Sequence, residues 1–109
     1  MMNRTEEEMI QVTKEDALAQ IELGKALDRL HRNKDFKKLI VECYQVKYAA
    51  RQVSLLADPS ANKQEVHAGL QGIAELLSFF RSVEHGALIA QRTYNEHVEL
   101  EANEIEGDE

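Results

Sequence analysis

The side chains of this chain best suited to metal binding or nucleophilic chemistry are four histidines, His31, His67, His85 and His97, and one cysteine, Cys43. A metal site on a helix needs ligands three or four residues apart, as in Glu-x-x-His or His-x-x-x-His. None of the four histidines has another histidine four residues away or a glutamate three residues before it. Each reads as an isolated surface histidine. Cys43 lies among Leu39, Ile40, Val46 and Ala50 at helical spacing, with no base beside it, and reads as a packing residue rather than a nucleophile. A single cysteine also rules out an internal disulfide and a cysteine-based zinc site. Gly69, Gly72 and Gly86 stand at helical spacing with no strand before them, so they do not form a phosphate-binding loop. No catalytic residue, cofactor or metal is expected, and the chain does not read as an enzyme.

Charge is the next chemical resource. The formal net charge is −7, and it is placed unevenly. Residues 1–92 hold equal numbers of acidic and basic side chains. After Arg92 come Glu96, Glu99, Glu101, Glu104, Glu106, Asp108 and Glu109, with no Lys or Arg among them. Lys25, Arg29, Arg32, Lys34, Lys37 and Lys38 cluster around one predicted turn. Of these, Lys25, Arg29, Arg32, Lys37 and Lys38 make a candidate charged docking patch. The chain as a whole is acidic and its aromatics are not interleaved with this patch, so an acidic protein surface is a better match than nucleic acid. The partner could also be the chain's own tail.

The elements that would position these groups are helices. One proline and five glycines in 109 residues argue against the many turns of an all-β fold. Val12-Thr13 and Asp16 suggest a capping box, which predicts a first helix from about Lys14 to His31 after a flexible or weakly helical arm, residues 1–12. Its apolar residues form two groups: Ala17, Ile21 and Gly24 on one side, Leu23, Ala26, Leu27 and Leu30 on another. A helix apolar on two sides has two neighbours. Asn33-Lys34-Asp35 breaks the chain, and a second helix then runs to about Ala57. At the α-helical period its inward stripe is Phe36, Leu39, Ile40, Cys43, Val46, Ala50, Val53 and Ala57, with Val41, Tyr44, Tyr48 and Leu55 on a second stripe. Asp58-Pro59-Ser60 is the strongest break, because proline disfavours helix for the residue before it.

A third helix starts near Ser60 or Asn62 and continues to about residue 100, roughly 58 Å at the α-helical rise. Val66, Leu70, Ile73, Leu77, Phe80, Ala87, Tyr94 and Val98 form a seam of 3.5-residue period along it. Beside it runs a second row: Gly69, Gly72, Leu76, Phe79, Val83, Gly86 and Ala90. Small residues there admit close approach of another backbone. Gly86 leaves two readings open, a continuous or kinked helix and a helix that stops and restarts at Ala87. The two shorter helices do not reach the far end of the third, which must project, fray or pair with another chain. Gly72, Leu76, Phe79, Val83, Tyr94 and Val98 are therefore the expected interface.

The stretch Asn33-Lys34-Asp35-Phe36-Lys37-Lys38-Leu39-Ile40, followed by Leu55-Leu56-Ala57-Asp58-Pro59, resembles a group of small uncharacterised phage-encoded helical proteins. The shared pattern is a short helix, an N-K-D-F-type turn, a helix ending in L-x-A-D-P, a long helix and a charged tail. It spans roughly residues 12–98 and brings no site residues with it. The resemblance implies a phage origin and a place in virion structure or assembly, or else a small protein that binds and inhibits a host factor. The expected fold is all-α: a three-helix antiparallel bundle over residues 13–98, with a long third helix and an acidic tail over residues 99–109. The expected partner is a second copy, or a protein of the virion or host. No apolar stretch is long enough for a signal peptide or membrane span, which places the expected chain in the cytoplasm of the producing cell or in the virion.

Overall fold

The computed structural model describes the backbone of residues 4–107 and the side chains of 13–102. All of its regular structure is helical among the described residues. Helix α1 covers Arg4–Arg32 and a long helix, α4, covers Lys63–Gly107. Between them three segments follow without interruption: α2 (Lys34–Phe36), a π-helical stretch (Lys37–Tyr48) and α3 (Ala49–Leu55). They make one helical run, so the chain has three helices, the last one long.

The breaks fall where side chains can satisfy helix ends. Asn33 is extended (φ −69°, ψ 127°), and its Oδ1 accepts hydrogen bonds from the amides of Asp35 and Phe36, both at 3.0 Å. The same chemistry opens α4, where Asn62 Oδ1 accepts from Gln64 at 3.0 Å and Glu65 at 3.3 Å. Before it the chain turns on Asp58, whose Oδ1 accepts from the Ser60 amide at 2.9 Å and the Ser60 hydroxyl at 2.7 Å. Those bonds, with Lys63 nearby, hold the Asp58 carboxyl below its usual range. Lys63 Nζ also donates to the carbonyls of Leu56 and Asp58, covering acceptors that the end of α3 leaves open.

Two helix ends differ from expectation. Thr13 does not begin α1, which already starts at Arg4. Residues 4–12 include three consecutive glutamates, good helix formers that also suit the positive end of the helix dipole. The helix therefore runs through the arm expected over residues 1–12, of which 1–3 lie outside the described residues. At the other end, α4 passes through Gly86 and continues to Gly107, so there is no restart at Ala87. The last two residues of the acidic segment, 108 and 109, lie outside the described residues.

A larger correction concerns the face of the helical run. Of the expected inward stripe Phe36, Ile40 and Cys43 are shielded, but Leu39, Val46, Ala50, Val53 and Ala57 are exposed, and Val41, Tyr44, Gln45, Ala49 and Gln52 are shielded in their place. The π-helical stretch explains the change. A π-helix closes its hydrogen bonds over five residues, giving about 4.4 residues per turn instead of 3.6. Across the twelve residues of Lys37–Tyr48 the lag reaches about three-fifths of a turn. Phe36, Ile40, Gln45 and Ala49 accordingly follow one another at steps of four to five residues, and what lies beyond Tyr48 presents a different side.

The chain divides into two compact units. The terminal unit holds Met1–Ala26 and Val83–Glu109. In it the early part of α1 runs antiparallel to the late part of α4. Lys14 pairs with Glu101 at one end, while Gly24 meets Ala87 and Gln20 meets Gly86 toward the other. Its buried residues are Ala17 and Ala90, flanked by half-buried Ile21, Val83, Tyr94 and His97. The second, central unit is Leu27–Ser82. There the helical run folds back along the early part of α4 as a helical hairpin, with Val66, Ile73 and Gln52 buried.

Candidate functional site

Within the central unit a polar ridge of the run meets the glycine row of α4. Tyr44 and Tyr48 are stacked, with ring centroids 5.6 Å apart. A Cβ added at Gly72 would lie 3.3 Å from the Tyr44 hydroxyl, and one at Gly69 would lie 3.2 Å from the Tyr48 hydroxyl and 3.5 Å from Gln52 Oε1. What comes close to these two glycines is side-chain ends of the same chain, not the backbone of another helix. The period lag brings Tyr44, Gln45 and Gln52 to this face. Gln45 Nε2 is buried there with no acceptor among the described residues.

At the other end of the same unit His31, Phe36 and Phe80 form an edge-on aromatic cluster, with centroid separations of 5.1, 5.1 and 6.0 Å. His31 Nδ1 lies 3.0 Å from the Leu27 carbonyl. His31 is thus a packing residue tied to its own helix, not the surface histidine expected. His67 and His85 are exposed; His97 is half-buried, and its Nδ1 has no hydrogen-bond partner among the described residues. Cys43 is half-buried. No group of three potential metal ligands occurs among the described residues.

The expected interface residues separate into two sets. Gly72, Leu76, Val83 and Tyr94 are half-buried on the shielded side of α4, whereas Phe79 and Val98 are exposed at 60% and 42%. Tyr94 was expected to lie beyond the reach of the first helix. The pairs Lys14–Glu101 and Gly24–Ala87 set residues 87–101 of α4 antiparallel to residues 14–24 of α1, so Tyr94 is covered by the first helix within its own unit. The period of the seam holds along α4, but past Phe80 its contact line moves to Val83, Gly86, Ala87, Ala90, Tyr94 and His97, leaving Glu84, Gln91 and Val98 outside.

Of the charged patch, Lys25 belongs to the terminal unit and Arg29, Arg32, Lys37 and Lys38 to the central one. Arg32 is ion-paired with Asp28 at 2.8 Å in an exposed one-turn pair. The division also sorts charge in a way that the chain order conceals. Leu27–Ser82 carries nine Lys and Arg against six Asp and Glu, while the terminal unit carries four against fourteen. No described helix is long and apolar enough to cross a membrane. No family model, curated protein or solved structure matches the chain.

Proposed function

We propose that the protein is a non-enzymatic phage structural or assembly component that acts through helix-mediated self-association. The observation that carries this reading is an inverted apolar distribution. Among the described residues four apolar ones are buried, Ala17, Val66, Ile73 and Ala90, while twelve large ones are exposed, Phe79, Leu88, Ile89 and Val98 among them. A domain with so small a core gains most by covering its remaining apolar surface with a second copy. In this reading the three helices complete an antiparallel bundle, residues 99–109 extend from it as an acidic tail, and no cofactor takes part. The phage setting, in the virion or the producing cell's cytoplasm, rests on the N-K-D-F and L-x-A-D-P resemblance. Size-exclusion chromatography with light scattering tests self-association. A dimer or larger species at high micromolar concentration supports it, and a monomer there overturns it.

The charge sorting favours a second reading, an acidic modulator of a basic host protein. With fourteen acids against four bases, the terminal unit offers a strongly negative field to such a partner. Truncation after Ala102 removes four acids and leaves the Lys14–Glu101 pair intact. In a pull-down from host lysate, this reading requires a partner that the full chain retains and the truncated chain releases.

A further inference from the structure

The self-association proposed above leaves open what aligns one copy on another, and the outer side of the helical run carries charge that could do so. Lys34, Lys38, Lys47 and Arg51 are all exposed. Lys34 stands one turn before Lys38, and Lys47 one turn before Arg51. The nine-residue step from Lys38 to Lys47 lies within the π-helical stretch. At about 4.4 residues per turn that step makes about two whole turns, which sets the two pairs in line. At the α-helical period it would make about two and a half turns, and the pairs would face opposite ways. Lys38 is two residues from both Phe36 and Ile40, and Lys47 two from both Gln45 and Ala49, about half a turn in each case. The row therefore lies opposite the shielded face of the run.

Nothing in the chain neutralises this row. None of the four side chains has an ion pair or hydrogen bond among the described residues, and like charges one turn apart repel. Glu42 is the one acid on the row and is also unpaired there, which leaves four bases against one acid. We infer that the row docks residues 96–109 of a second copy, an inference that rests on the self-association reading.

Charge selects that occupant. Glu96 and Glu99 are exposed at neighbouring positions of α4 and unpaired among the described residues, whereas Glu101 is held by Lys14. Glu104, Glu106, Asp108 and Glu109 follow in the sequence, and no Lys or Arg comes after Arg92. Every copy that carries the row also carries this segment. The net charge of −7 repels a nucleic acid that would compete for the row. The contact joins unlike surfaces, so each copy can give one and receive one. Charge of this kind sets orientation and encounter rate more than affinity, and salt screens it.

The test compares the full-length wild type with a row-reversed variant (Lys38→Glu with Lys47→Glu) and a segment-reversed variant (Glu96→Lys with Glu99→Lys). All four positions are exposed, and circular dichroism checks that the helices persist. Light scattering at low salt gives the dissociation constant of each form and of an equal mixture of the two variants. The inference requires each variant alone to associate about tenfold or more weakly than wild type, and wild-type association to weaken as salt rises toward ~1 M. The mixture must recover, because the unreversed segment of one variant meets the unreversed row of the other, and the two reversed surfaces meet each other. Variants that associate as wild type does place pairing on another surface, and overturn this inference while the self-association reading stands. A mixture no tighter than its parts overturns the match of row to segment. A wild type that is monomeric at high micromolar concentration overturns both readings. A labelled single-stranded oligonucleotide serves as the competing polyanion. Its capture by wild type but not by the row-reversed variant, with self-association equal in both, assigns the row to nucleic acid and overturns the inference.

Discussion

Gly24 of α1 and Ala87 of α4 approach so closely that a methyl group built at Gly24 would overlap the Ala87 methyl. Nothing flexible stands between them, so the two helices themselves would have to separate. Gly24→Ala gains about 1 kcal/mol of helix propensity and incurs about 1–3 kcal/mol of overpacking. The expected result is a lower Tm. Gly86 is the counter-case in the same unit, since an added Cβ there meets Gln20 Oε1 at 3.1 Å, the far end of a side chain that can swing away. Gly86→Ala should raise stability by up to ~1 kcal/mol. Thermal unfolding of the two variants side by side checks the contrast, and equal effects would refute the close approach at Gly24.

In the central unit the same substitution depends on a tyrosine. The Tyr44 hydroxyl sits 3.3 Å from where a Cβ at Gly72 would be, and stacking on Tyr48 restrains it. Gly72→Ala is expected to destabilise the wild-type chain. In a Tyr44→Phe background, where the hydroxyl is gone, it should stabilise by up to ~1 kcal/mol. A double-mutant cycle in urea measures the coupling, and additive effects would remove Tyr44 as the cause.

The two asparagine caps make a third test. Asn33→Ala and Asn62→Ala each leave two helix amides without their acceptor, a loss of about 1 kcal/mol apiece. Asparagine deletions at exposed positions with no such role, for example Asn95→Ala, should fall well below that in the same denaturation series.

Asp58 links the turn to pH. Its carboxyl is lowered by the hydroxyl and amide of Ser60 and then by Lys63. A carboxyl lowered in the folded state stabilises fully above its unfolded value, near 3.9. That contribution is lost as pH falls through the lower folded value. The difference in stability between wild type and Asp58→Ala should therefore be constant around neutrality and shrink in acid. A gap that instead widened below pH ~4 would mean that the ionised carboxylate is not what holds the turn.

The breaks at Asn33 and Asp58-Pro59 were legible in the residues because they are local chemistry, caps and a proline, and the structure places them there. The long period after Asn62 was legible because 3.5-residue spacing in α4 is strong. Two things were hidden. Thr13 can cap a helix, yet nothing in its own neighbourhood announces that the glutamates before it extend the helix back to Arg4. The inward face of the second helix was misread for a different reason. Apolar residues at 3.6-residue spacing mark a face only if the backbone keeps that period, and Lys37–Tyr48 does not.

That misreading supplies the sharpest test of the π-helical register. At the α-helical period, Val46 belongs inside and Gln45 outside; at the π-helical period the two exchange places. Val46 is 60% exposed, while Gln45 Nε2 is buried with no acceptor among the described residues. A buried donor without an acceptor costs about 1–3 kcal/mol. Gln45→Met, which keeps the length of the side chain and removes the amide, should therefore stabilise the protein. Val46→Gln should change little, within ~0.5 kcal/mol for an exposed position. Under an α-helical register the outcome differs at both positions: Val46→Gln would bury an amide and destabilise, and Gln45→Met would be silent. Urea unfolding of these two variants separates the registers without any assumption about the partner.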